Sequence, residues 1–217
     1  RSAQGHGAVR DLGADIPCVV ANDGDVTALS GAMALGAAGV LGISMGTSEA
    51  GGYVDGGGNV TGWFNELAFA PLDVQHEAAR DEWSGDVGCG VKYLSQDGAV
   101  KLAAIAGIEL PEGGPADQFA CLRGLMDRGD ARMEAVYRDL GVYLGHALGL
   151  YAMFYDIRRA LIMGGVAGGP GGDILLGEAR RVLAGEYPGC TFPVEAPDSR
   201  VRSLGQSVAA ASLPKAR

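Results

Sequence analysis

Asn22 and Asp23 close the apolar run Val19-Val20-Ala21, and Gly46 and Thr47 close the next one, Val40-Leu41-Gly42-Ile43. An aspartate at the carboxyl end of a buried strand can take the proton of an alcohol as its oxygen attacks a phosphoryl group. A carboxylate is a far weaker base than the alkoxide it helps to form. Proton transfer must therefore come late and be coupled to P–O bond formation. Asn22 offers both a donor and an acceptor to neighbouring hydroxyls. The triplet Asn22-Asp23-Gly24 has a second reading, as a turn with Asp23 capping the helix that follows.

Gly46-Thr47-Ser48 can face a phosphate with backbone N–H groups and two hydroxyls, or it can be a glycine hairpin leading into Gly51-Gly52-Tyr53-Val54. Met163-Gly164-Gly165-Val166 also lies between a strand pattern and a helix pattern. It can hold the adenosine side of a nucleotide against its backbone, or be a plain strand–helix turn. Glu66 sits among Trp63, Phe64 and Phe69. A carboxylate flanked by aromatic rings suits a sugar, whose apolar face stacks while its hydroxyls pair with acceptors; the other reading is a solvated glutamate. The three histidines are isolated. His146 falls within a helix pattern and reads as a packing residue, and His76, among Asp73, Glu77, Asp81 and Glu82, as part of a solvated loop.

Elements must bring these residues to one edge. Residues 15–21 read as a buried strand, 24–38 as a small-residue helix close to a sheet, and 40–46 as a second buried strand. A hairpin is expected from 51–54 and 59–62 around Asp55-Gly56-Gly57-Gly58. The stretch 63–88 is irregular and reads as a long functional loop. Helices are expected over 91–106 and 115–128, separated by the break at 110–115. The longest, 130–155, carries Val136, Leu140, Leu144, Leu148 and Tyr151 at the 3.6-residue period. A strand at 160–163, a helix at 174–186, a strand at 191–195 and a helix at 205–212 complete an α/β order with a mixed sheet and helices on at least one face.

With 217 residues the chain can bury a full core, here read as one unit over 1–217 with an irregular insertion at about 63–90. The net charge of −9 argues against a nucleic-acid partner, which needs a basic face. The 37 glycines follow no three-residue period, which excludes collagen; they gather at strand ends and turns. Cys18, Cys89, Cys121 and Cys190 form no Cys-x-x-Cys pair, so reduced thiols in a cytoplasmic protein are expected rather than a zinc site or a disulfide framework. No apolar run is long enough to span a bilayer, and no membrane partner is expected.

Taken in order, Val20-Ala21-Asn22-Asp23, Met45-Gly46-Thr47-Ser48-Glu49-Ala50-Gly51-Gly52, Asn65-Glu66-Leu67-Ala68-Phe69, Ile162-Met163-Gly164-Gly165-Val166 and Gly205-Gln206-Ser207-Val208-Ala209-Ala210-Ala211 resemble the ROK family of bacterial sugar kinases and repressors. The resemblance implies a lobe of the actin-like ATPase (ribonuclease H-like) fold, a mixed sheet flanked by helices. It implies phosphoryl transfer from ATP, with Mg²⁺ carried by the nucleotide, to a hexose or amino-sugar. Asp23 is then the catalytic base, and Asn22 and Glu66 orient the sugar. Gly46, Thr47, Ser48, Gly164 and Gly165 then contact ATP.

The chain departs from the family pattern in several places. Phe69 stands where the family has a zinc-binding His, and only Cys89-Gly90 remains of its cysteine cluster, so no zinc is expected, and packing through Trp63, Phe64, Phe69 and Trp83 must hold the loop instead. Gln96 stands where a second sugar-binding Glu is found. Ser48 and Ala50 replace glycines of the phosphate turn, and Glu49 brings a negative charge beside it. The family's Asp-x-Gly-x-Thr strand is absent, and the chain opens on Arg1 rather than Met. A fragment or processed product that matches the second half of the family, without its first lobe, is the expectation. Two further readings stand beside the kinase. One is a sugar sensor that does not phosphorylate; the other is an oligomerisation core in which the 130–155 helix pairs subunits, as in a homodimer.

Overall fold

A computed structural model describes residues 21–63, 65–197 and 207–213. The expected strand at 15–21 lies outside them except for Ala21, which is not in a strand, and so does the start of the 205–212 helix, of which 207–212 are helical.

The first described element is helix α1, Asp23–Leu35, which ends at Gly36 in the left-handed region (φ 57°) that glycine adopts without penalty. Strands β1 (Val40–Met45) and β2 (Glu49–Val54) pair antiparallel from Val40↔Val54 to Met45↔Glu49. The hairpin thus turns at residues 46–48. Residues 59–62 contribute no strand, only a bridge from Val60 to Val54. The expected 51–54/59–62 hairpin is corrected on this point. Its partner is the apolar β1, which buries Val54 and Tyr53, whereas Asn59 and Gly62 stay exposed.

Two short 3₁₀ turns, Leu67–Phe69 and Gly90–Lys92, bracket the irregular stretch. Helices α2 (Gln96–Ile105), α3 (Pro115–Asp127) and α4 (Ala131–Tyr151) follow, then β3 (Arg159–Met163), α5 (Gly169–Glu186) and the short β4 (Val194–Glu195). Helix α5 starts five residues before the expected 174, because Pro170 is preset for a first helical turn and Gly171 and Gly172 fit against Tyr137 and Ala167, where a side chain would collide. β4 is shorter than 191–195 because Pro193 lacks the N–H a ladder needs.

The sheet order is β2-β1-β3-β4, with β1, β3 and β4 parallel. Alternate residues face opposite layers. Leu41, Ile43, Met45, Ala160 and Ile162 join the large core shared with α2 to α5, while Val40, Val54 and Leu161 face Ala28 and Ala32 of α1. The α1 layer is thin. A Cβ on Gly24 would overlap the carbonyl of Gly51, one on Gly52 the carbonyl of Gly24, and one on Gly42 would come 2.8 Å from Ala28 Cα. Small residues here are what let the helix ride directly on the strands.

Helix α4 fulfils its periodicity, with Leu140, Leu144 and Leu148 fully buried. Its apolar face is covered by its own chain, and Gly141, Gly145 and Gly149 abut α5 and Tyr187. The oligomerisation reading loses the surface it was built on.

The irregular stretch is held by backbone pairing and side chains. Leu72 and Asp73 N–H groups donate to Gly88 O, and Gly90 N–H to Ala70 O. Phe69 stacks on Trp83 (ring centroids 5.8 Å apart), as the packing expectation had it; Trp63 stacks instead on Tyr53, away from the loop, and Phe64 lies outside the described residues. Lys92, buried, pairs with Asp97 and Glu82, each at 2.6 Å. Burial disfavours its charge, but these two acidic partners outweigh it and raise its pKa. Lys92→Ala removes the cation and leaves Asp97 half-buried without it. A loss of about 2–3 kcal/mol is expected, read as a lower urea midpoint.

Candidate functional site

Asn22 is the N-cap of α1, its Oδ1 accepting from Gly24 N–H at 2.8 Å, and Asp23 is the first helical residue. The capping role falls to Asn22, and this leaves the exposed Asp23 carboxyl facing outward; its Oδ1 shares the Gly24 N–H at 2.9 Å. Asn22 and Asp23 line a cleft of about 270 Å³ together with Ser44, Ser48, Glu66 and the edge of β2. Residues separated by more than forty positions thus meet where β1 and β2 join.

Glu66 is exposed and precedes the first 3₁₀ turn. Its neighbour Asn65 is buried and ties the two walls of the cleft together. Asn65 Nδ2 donates to Asp25 Oδ1 at 2.7 Å, and Tyr155 Oη donates to Asn65 Oδ1 at 2.9 Å. Asp25 also accepts from Tyr53 N–H at 3.4 Å. Burial raises the Asp25 carboxyl above its ordinary pKa, although the Asn65 and Tyr53 bonds oppose that rise. This chain of bonds holds Asp23 and Glu66 at a fixed separation across the opening. The sequence reading did not include Asp25 or Asn65.

No aromatic ring lines the cleft among the described residues, and Phe64 lies outside them.

The Gly164-Gly165 turn follows β3, on the side of β1 opposite β2. Gly164 (φ 92°) packs directly on the Met45 backbone, and Val166 N–H donates to Met45 O at 3.1 Å. Gly164 and Gly165 line a second cleft of about 450 Å³ with Thr27, Ser30, Ser44, Arg123, Met163 and the start of α5. Ser44 is common to both clefts. Of the 46–48 turn, Ser48 faces the first cleft, while Gly46 and Thr47 line neither and lean on α2: Gln96 N–H donates to Gly46 O at 2.8 Å, and Thr47 Oγ1 donates to Gln96 Oε1 at 3.4 Å. Gln96, which stands where the family has a second sugar-binding Glu, therefore belongs to this turn and is not among the residues that line the cleft with Glu66.

Glu49 departs from expectation. It is buried, and burial pushes its pKa up to about 8, a weak hydrogen-bonding influence from Tyr151 opposing. At neutral pH the group is neutral, so it does not set a negative charge beside the turn. Among the described residues no three His, Cys, Asp or Glu side chains are grouped to hold a metal ion, and none of the described helices is long and apolar enough to cross a membrane.

No protein-family model and no curated protein sequence matches this chain. Solved structures do. A ROK family glucokinase from Streptomyces griseus, in complex with glucose and AMPPNP, superposes with a TM-score of 0.73 at 22% identity, over 94% of this chain and 70% of its own. A ROK hexokinase from Thermus thermophilus gives 0.67 at 23% identity, over 88% and 64%. A ROK family transcriptional regulator, a homolog of the E. coli MLC protein, gives 0.73 at 21% identity, over 95% and 55%. The chain thus spans about two thirds or less of the length of the last two. These superpositions show the fold: with its four-stranded mixed sheet flanked by helices, the chain has the actin-like ATPase fold of the ROK sugar kinases and of the ROK regulator.

Proposed function

We propose that this chain is the C-terminal lobe of an ATP-dependent sugar kinase and carries its sugar site and part of its nucleotide site. The observation that carries the reading is the meeting of Asn22, Asp23, Ser48 and Glu66 in one cleft, with the Gly164-Gly165 cleft across Ser44. Asp23 accepts the proton of the attacking sugar hydroxyl. Asn22 and Glu66 fix neighbouring hydroxyls of a hexose or amino-sugar, and the bond chain through Asp25 and Asn65 keeps them in register. Gly164 and Gly165 take the adenosine side of ATP; of the 46–48 turn, Ser48 meets its phosphates, while Gly46 and Thr47 are held back against α2. Mg²⁺ enters with the nucleotide and neutralises charge on the transferring group. The glucose and AMPPNP of the S. griseus structure support this choice of ligands. The acidic net charge supports a role without nucleic acid through this chain. The free thiols of Cys89, Cys121 and Cys190 support a cytoplasmic setting. Homodimerisation, which light scattering tests, would use a surface other than the apolar face of α4, which this chain itself covers.

A sugar sensor without catalysis is the second reading. It is favoured by the side chains of Ser48 and Ala50 in the turn and by the likeness to a ROK regulator. Calorimetry separates the two. Binding of both D-glucose and AMPPNP supports the kinase; sugar binding alone supports the sensor. Glu66→Gln is expected to weaken sugar binding by about 10- to 100-fold, since a hydrogen bond to a charged group is worth about 1.5–3 kcal/mol. Unchanged sugar affinity in that variant removes Glu66 from the site.

A further inference from the structure

Glu49 is the buried acid to which the proposed reaction gives no role. Both of its carboxyl oxygens are enclosed, and neither makes a hydrogen bond of ordinary geometry, although the Tyr151 hydroxyl is near enough to act on it weakly. Such a group costs several kcal/mol unless it carries its proton and finds an acceptor. The acceptor is at hand. A Cβ placed on Gly90 would overlap Glu49 Oε2 and lie 2.9 Å from Leu67 O, so the acid and this carbonyl border the same small space. Leu67 O already receives Ala70 N–H at 2.9 Å and the Tyr151 hydroxyl at 3.4 Å, the second bond being long. Leu67 directly follows Glu66.

We propose that Glu49 is a positioning residue: its carboxyl O–H donates to Leu67 O while Tyr151 Oη–H donates to Glu49, and this relay pins the turn that presents Glu66 to the cleft. The inference rests on the sugar-site reading of Glu66. The hydroxyl of Tyr151 rotates freely enough to serve either acceptor. Among the described residues no cation faces Glu49. From α4 it meets Tyr151, with Tyr155 beyond; from the second 3₁₀ turn it meets the Gly90 backbone, next to Cys89; Asp23 and Glu66 lie toward the cleft. Lys92, in that same turn, points to Glu82 and Asp97. Burial, which holds the acid neutral up to about pH 8, agrees with this geometry. Above that range the proton leaves, a carboxylate confronts a carbonyl oxygen, and the Glu66 turn loosens.

Hydrogen exchange of the Ala70 amide, which donates to Leu67 O, and D-glucose affinity by calorimetry are followed from pH 6 to pH 9.5 in the intact protein and in Glu49→Gln. The amide of Gln donates at every pH. In the native protein, Ala70 protection and glucose affinity should both fall by about fivefold, the worth of one ordinary hydrogen bond, as pH rises through 8. In Glu49→Gln both should stay flat. Parallel pH profiles in the two proteins overturn the proposal, as does a Glu49→Gln variant that loses Ala70 protection at pH 7. The exchange readout needs no sugar. A protection step in the native protein alone, without glucose binding at any pH, upholds the relay and overturns the sugar-site reading instead.

Discussion

Asp23→Asn in the intact protein is expected to lower sugar phosphorylation by about 10²- to 10⁴-fold, the range for loss of a positioned general base. The sugar KM should change little. An amide keeps the size of the side chain and an oxygen to accept the Gly24 N–H that Asp23 now shares at 2.9 Å. It cannot take a proton from the attacking hydroxyl. Stability should fall by less than about 1 kcal/mol, the worth of an acid in the first turn of a helix. The helix start is not at risk, because Asn22, not Asp23, supplies the cap. Assays of turnover and melting temperature on the same preparation separate lost chemistry from lost fold. Near-native turnover removes Asp23 as the base.

Gly52→Ala should act in the opposite way, through the fold. The added methyl would overlap the Gly24 carbonyl and lie 2.5 Å from Asp25 N. Both neighbours are backbone, so neither can turn aside, and α1 must lift from the sheet or the strand must bend. A loss of more than about 3 kcal/mol is expected, beyond the ordinary range for one methyl. For a chain of this size that lowers the melting temperature by about 10 °C. Gly177→Ala is the control. It lies inside α5, has open space around it, and should gain about 0.5–1 kcal/mol. A Gly52→Ala protein that melts like the native one refutes the close contact of α1 with β2.

Where local pattern decides structure, the sequence announced it. The 3.6-residue spacing from Val136 to Tyr151 marks α4; the strand expected ahead of Asp23 lies outside the described residues. The misplaced hairpin shows the limit. The turn residues at 55–58 suggest a reversal, and one occurs there, with Asp55 Oδ1 accepting from Gly57 and Asn59 N–H groups. Which strand pairs with Gly51–Val54 depends on burial against α1, which local pattern does not contain. Glu49 was misjudged for the same reason: its role follows from what encloses it. Asp25 carried a readable signal. It shares the sheet-facing stripe of α1 with Ala28 and Ala32, where a charge needs a partner. That the partner is Asn65, forty positions away, only the fold reveals.

Ser44 stands in the wall between the two clefts and borders each of them. A molecule bound on one side would therefore touch a side chain that the other side also uses. Linkage makes such an effect mutual: whatever factor the sugar imposes on nucleotide affinity, the nucleotide imposes on the sugar. One small hydroxyl on a rigid central strand is thus where cooperativity between the two ligands, of either sign, would originate.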